Sequence, residues 1–172
     1  THAMLHYYFR KKEYLFERIV AKNISLLAQA ITVAVGNSDL PIVERLKSGV
    51  AAHFDLIAAN PQLPRFFLNE VLSRPEHYHI LYERIKEVSD NLFATLQKDV
   101  DEASGRGEIE YVDIRMLFIS LLSLNIFPFI AYAFIEPVSN ELLGGMMADR
   151  EKYLAMRKAE NIEMILRRIK KH

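Results

Sequence analysis

The sequence has no cysteine and no tryptophan, and its 172 residues include only six glycines and six prolines. Without cysteine no disulfide can form, which fits a reducing compartment, and a cytoplasmic location is expected. The 22 basic and 22 acidic residues cancel, so the surface as a whole is no nucleic-acid binder, while local basic patches stay open. No segment alternates polar and apolar residues over more than a few positions, which argues against strands. A glycine-rich phosphate loop, a His-Glu-x-x-His motif and any known nucleophile-plus-base spacing are all missing. His77-x-His79 sets two imidazoles about 200° apart around a helix, badly placed to share a metal. Neither an enzyme nor a cofactor or metal is expected. The first fifteen residues hold no apolar run behind a basic leader, so no secretory signal is expected. With no initiator methionine, the chain is expected to begin inside a longer protein.

What is present in quantity is apolar bulk, 51% of the residues. The segment 114–135, IRMLFISLLSLNIFPFIAYAFI, runs without a charge from Met116 to its end. It is too apolar for a single helical stripe, so it is either a helix buried on nearly all sides or a membrane span. Ser120, Ser123, Asn125 and Pro128 in its middle, and the charged amphipathic segments around it, favour the buried helix and no membrane. Such a helix needs cover on two sides. One side would be the chain's own helices and the other a second copy of the chain.

Glycine and proline punctuate the rest. Gly36 with Pro41, Pro61 with Pro64, Pro75, Gly105 with Gly107, and Pro137 with Gly144 and Gly145 bound segments of helical length. The architecture is therefore read as all-α. A first helix is expected over 12–35, with Gly36 as its C-terminal cap. A second is expected over 40–59, capped by Asp39 with Pro41 in its first turn. Asn60-Pro61 reads as the start of a short third helix ending near Leu72. Ser73-Arg74-Pro75-Glu76 has the capping-box form for a fourth helix that ends before Gly105. Asp113 is the expected cap of the central helix. Pro128 should leave the Leu124 carbonyl without its partner and kink that helix. A last helix is expected over 149–171.

The opening T-H-A-M-L-H-Y-Y-F-R-K-K-E-Y-L interleaves aromatic and basic residues. Its order resembles the end of the helix-turn-helix in TetR-family transcriptional regulators. There a recognition helix closes with Ser/Thr and then Leu-Tyr-x-His/Tyr-Phe, and the next helix opens with x-x-Lys-Glu-x-Leu. Thr1, Leu5, Tyr7, Tyr8, Phe9, Lys12, Glu13 and Leu15 match, and His6 stands where the family usually has Tyr. Residues 60–67 resemble the start of the family's sixth helix, and Gly107-Glu108-Ile109 before Val112-Asp113 resembles the start of its eighth.

The resemblance implies a fold and a function. Residues 1–35 would be the end of the recognition helix and the connecting helix of a truncated DNA-binding domain, with about forty residues before Thr1. Residues 36–172 would be the ligand-binding and dimerisation domain. Thr1, Met4, Tyr7, Tyr8 and Lys12 would approach operator DNA, Lys12 and the two tyrosines chiefly at its phosphates, while Phe9 and Leu15 would be core. The function implied is a ligand-responsive DNA-binding repressor, working as a homodimer with a small hydrophobic effector. The alternative is an all-α module for a lipid-like or aromatic molecule with no DNA role.

Two further groups of residues are singled out. His53 lies on the apolar stripe of the second helix and reads either as a core histidine satisfied by one hydrogen bond or as a pocket residue. With Phe54, Phe67, Glu70, Tyr82, Ser89, Phe93, Met116, Ser120, Ser123 and Phe127 it is expected to line an apolar pocket between the second, fourth and central helices. Leu121 and Leu122 of the central helix are expected at a dimer interface. Tyr153, Met156, Ala159, Ile162, Ile165, Leu166 and Ile169 of the last helix would join them. The interface would be a four-helix bundle made by this helix pair and its copy.

Overall fold

A computed structural model describes residues 2–171, so Thr1 lies outside the described residues. The chain is all-α. Its helices are α1 (His2–Val35), α2 (Ile42–Ala59), α3 (Leu63–Ser73), α4 (His77–Gly105), α5 (Ile114–Ile135), α6 (Ser139–Leu143) and α7 (Arg150–Ile169), with one 3-10 turn at Glu136–Val138 before α6. No strand occurs among the described residues.

The first helix departs from expectation. It starts at His2 and passes through Lys12 without a break. Residues 2–35 contain no glycine or proline, so nothing interrupts the ladder of hydrogen bonds, and 34 residues reach about 50 Å at 1.5 Å each. The first buried side chain described along it is Phe16. Phe9 and Leu15, expected in the core, are 53% and 57% exposed because no other element covers this half of α1. Beyond Phe16, α1 packs against α2 and α4. Phe16, Val20 and Ile24 close on Phe66, Phe67, Ile80, Leu81 and Val88. Each fully buried side chain of this size is worth about 2 kcal/mol.

Helix ends follow the expected caps only in part. Asp113 Oδ1 accepts from the amides of Arg115 (2.8 Å) and Met116 (3.2 Å) and opens α5 as expected. Asp149 Oδ1 accepts from the Lys152 amide at 3.1 Å and does the same for α7. Asp39 does not cap α2; the helix starts after Pro41, whose carbonyl takes the Glu44 and Arg45 amides. Asn60 closes α2 instead of opening α3, its side chain donating to the Leu56 carbonyl. Pro64, not Pro61, stands in the first turn of α3. Ser73 ends α3 rather than capping α4. A cap residue and a chain-closing residue share the same short polar chemistry, so composition alone did not separate the two roles.

Three ties set the frame. Arg45, nearly buried, donates from Nε to the Val35 carbonyl (2.6 Å) and pairs with Asp99 (2.7 Å), joining the end of α1 to α2 and α4. A Cβ on Gly49 would stand 2.8 Å from Val35 Cγ1, so glycine permits this close crossing of α1 and α2. Gln97 of α4 accepts from the Ile114 amide (2.8 Å) and donates to the Val112 carbonyl (3.2 Å), fixing where α5 begins.

The central helix is not covered on all sides. Its inner face, with Ile114, Leu117, Asn125 and Phe129, is buried against α2, α4 and α7. Its outer face carries Met116 (65% exposed), Ile119, Ser120, Ser123, Phe127 (61%) and Phe134. By length and composition α5 is apolar enough to cross a membrane, as is α1 from His6 to Val35.

Candidate ligand-binding site

Between α1, α2, α4 and α5 lies a cavity of about 290 Å³. From α1 come Asn23, Ile24, Leu27, Ala28, Ile31 and Val35; α2 supplies Leu46, Val50, His53 and Ile57. Phe67 of α3 enters from one end, and α4 supplies Val88, Ser89, Leu92, Phe93 and Leu96. The α5 wall includes Leu117, Phe118, Leu121, Leu122 and Ile126, and Ile165 reaches in from α7. Among the described residues none that lines it is charged, and only Asn23, His53 and Ser89 bring polar side chains. Phe93 and Phe118 meet edge to face across the α4–α5 seam, centroids 5.1 Å apart.

Of the expected pocket residues, His53, Phe67, Ser89 and Phe93 line this cavity. The others do not. Phe54 is buried beside the cavity, against Phe129 with ring centroids 5.4 Å apart. Glu70 lies 3.3 Å from Nδ1 of the buried His77, without the alignment of a hydrogen bond. Tyr82 is half out in solvent, stacked on Tyr78. Met116, Ser120, Ser123 and Phe127 face outward on α5. Leu121 and Leu122, expected at an interface, take their place on the inner wall. A helix apolar on every side carries no periodicity to say which side is inner, and these assignments were half a turn out.

The α7 stripe divides between inside and outside. Tyr153, Ile165, Leu166 and Ile169 are buried within the one chain and Ile162 is half-buried, while Met156 and Ala159 are exposed. The buried set packs on α2 and α5 of its own chain, and Met156 and Ala159 are left open. Met4, Tyr7, Tyr8 and Lys12, by contrast, are exposed and share one side of α1 by their spacing.

His53 is both of the things its position allowed. It lines the cavity and is also hydrogen-bonded, with Asn125 Nδ2 3.2 Å from its Nδ1. Burial lowers its pKa from 6.5 to about 4, so the ring is neutral near pH 7. Behind it runs a polar chain that sequence reasoning left in pieces. Asn125 Nδ2 also donates to the Val50 carbonyl (3.1 Å). Asn161 Nδ2 donates to Asn125 Oδ1 (3.0 Å) and to the Leu124 carbonyl (2.9 Å). The carbonyl orphaned by Pro128 thus finds its donor on α7. Arg157 closes the chain with a 2.7 Å bond to Asn161 Oδ1. Asn125 and Asn161 are completely buried, and each bond they make spares the cost of an unpaired polar group, about 1–3 kcal/mol.

Comparison of the chain with protein-family models, with curated proteins and with solved structures finds no match.

Proposed function

We propose that the chain is the effector-binding part of a TetR-type transcriptional repressor, in which a small hydrophobic molecule in the cavity alters the fit of the protein to operator DNA. One observation carries this reading. A single unbroken helix, α1, walls the cavity with Asn23, Ile24, Leu27 and Ile31, and its other end presents Met4, Tyr7, Tyr8 and Lys12 to solvent. About 30 Å of rigid helix separates Leu27 from Tyr7, so a small tilt at the cavity becomes a displacement at the exposed end. The α2, α5 and α7 walls are cross-braced by the His53–Asn125–Asn161 chain, whereas α1 meets the cavity through apolar side chains and Asn23. Arg45 holds α1 at Val35, and that end is its pivot. A coupling of about 1–3 kcal/mol would switch occupancy of an operator.

The second copy seats on the outer face of α5. Ser120 and Ser123 bond back to the carbonyls of Met116 (3.1 Å) and Ile119 (3.0 Å), so burying them leaves no hydroxyl unpaired. Their small size lets two helices approach closely, with Met116, Ile119 and Phe127 supplying apolar area. A two-fold pair of this kind would present its two DNA-reading helices about 34–36 Å apart, one turn of the duplex.

The test is binding by the full-length protein to fragments from upstream of its own coding region, at several salt concentrations. Saturable, sequence-selective retention that weakens with salt is expected, as is its release by a cavity ligand. Ligand binding without selective retention would favour the module with no DNA role.

A further inference from the structure

The tautomer of His53 is set from a distance of three side chains. An arginine only donates, so the Asn161 atom facing Arg157 is its oxygen. Asn161 therefore turns its NH2 to Asn125, which must answer with its own oxygen. That leaves the Asn125 NH2 for the Val50 carbonyl and for His53 Nδ1. Nδ1 accepts, and the ring proton sits on Nε2. Among the described residues that N–H has no protein partner. It belongs to a ring on the wall of a cavity with no charged lining residue.

We propose that the cavity selects an uncharged apolar molecule carrying one hydrogen-bond acceptor, a ketone, ester or ether oxygen, which seats on His53 Nε2–H. This rests on the cavity being the ligand site and makes no use of DNA. A carboxylate would enter without a counter-charge and an ammonium without an acid, and an isolated ion in such surroundings is strongly disfavoured. A plain hydrocarbon would fill the same space but leave the N–H unpaired.

The experiment uses four probes of one shape: benzophenone, diphenylmethane, diphenylacetate and benzhydrylamine. Each is titrated near pH 7 into the protein labelled with nitrogen-15. Long-range proton–nitrogen spectra of the imidazole read the tautomer directly. The expected result is His53 protonated on Nε2, with a resonance that benzophenone shifts and diphenylmethane leaves in place. Benzophenone should bind about five- to tenfold tighter than the hydrocarbon, and the two ions not measurably. In His53→Leu the ketone and the hydrocarbon should bind within about twofold of each other. Asn125 keeps the Val50 carbonyl in that variant, so one of its two donor bonds survives. A proton on Nδ1, equal affinity for ketone and hydrocarbon, or tighter binding of the acid overturns the proposal. Equal binding would spare the cavity as a ligand site; no binding by either neutral probe would remove both.

Discussion

The neutrality of His53 predicts a pH dependence that can be isolated from the rest of the protein. In the unfolded chain this imidazole takes a proton near pH 6.5, but in the fold burial holds it neutral down to about pH 4. Between those values the unfolded chain binds a proton the fold refuses, so stability falls as pH falls. The slope is about 1.4 kcal/mol per pH unit, or about 3 kcal/mol over the whole window. Above pH 6.5 the group contributes nothing to the pH dependence. Many carboxylates also titrate on the way down, so the measurement is a difference. Urea unfolding, followed by far-ultraviolet circular dichroism, would be run on the wild type and on His53→Leu at pH 7, 6, 5 and 4. The wild type should lose ground to the variant below pH 6.5 and stop losing it near pH 4. Two curves that stay parallel across this range would refute the claim that His53 is buried as a neutral ring.

Other predictions follow from the same contacts. Asn161→Ala should cost about 2–3 kcal/mol, because Asn125 Oδ1 and the Leu124 carbonyl both lose their donor. In a Pro128→Ala background, where residue 128 regains an amide for that carbonyl, the cost should shrink by about 1 kcal/mol, and a double-mutant cycle in urea measures this. Arg45→Met should destabilise by about 3 kcal/mol by stranding Asp99 and the Val35 carbonyl. Asp99→Asn, which keeps an acceptor there, should cost less. Phe127→Glu on the outer face of α5 should turn the proposed dimer into a monomer in sedimentation while leaving thermal stability of the monomer within about 0.5 kcal/mol; an unchanged dimer would place the interface elsewhere.

The residues that could be read from the sequence are those whose position carries its own physical signal. The limits of α5 came out at Ile114 and Ile135 because Asp113 caps one end and Glu136 restores charge at the other. Periodicity marked the inner stripe of α7, since Tyr153, Ile165, Leu166 and Ile169 alternate with charged residues. Whether its own chain or another covers a stripe has no signature in spacing, and here its own chain covers Tyr153, Ile165, Leu166 and Ile169. For α5 even the inner side was illegible. Apolar residues surround it, so Leu121 and Leu122 were exchanged with Met116, Ser120, Ser123 and Phe127. The unbroken α1 could have been read from the absence of glycine and proline between residues 2 and 35, had the resemblance to a helix-turn-helix not implied a new helix there.

One signal would have fixed the register of α5. Pro128 deprives the Leu124 carbonyl of its intrahelical donor, and a carbonyl facing the core must find another. The donor has to come from a polar side chain with spare N–H groups on an otherwise apolar stripe. Asn161, one residue before Ile162, answers that description. Pairing it with Leu124 turns residues 121, 124, 125 and 128 inward and 116, 120, 123 and 127 outward, as the helix is found. Once Asn125 is inward beside Asn161, its remaining N–H has to be used, and His53 on α2 is the acceptor within reach. The proline that looked like a flaw in the central helix thus determines which way its side chains point. By the same chain of donors it leaves the His53 Nε2–H on the cavity wall.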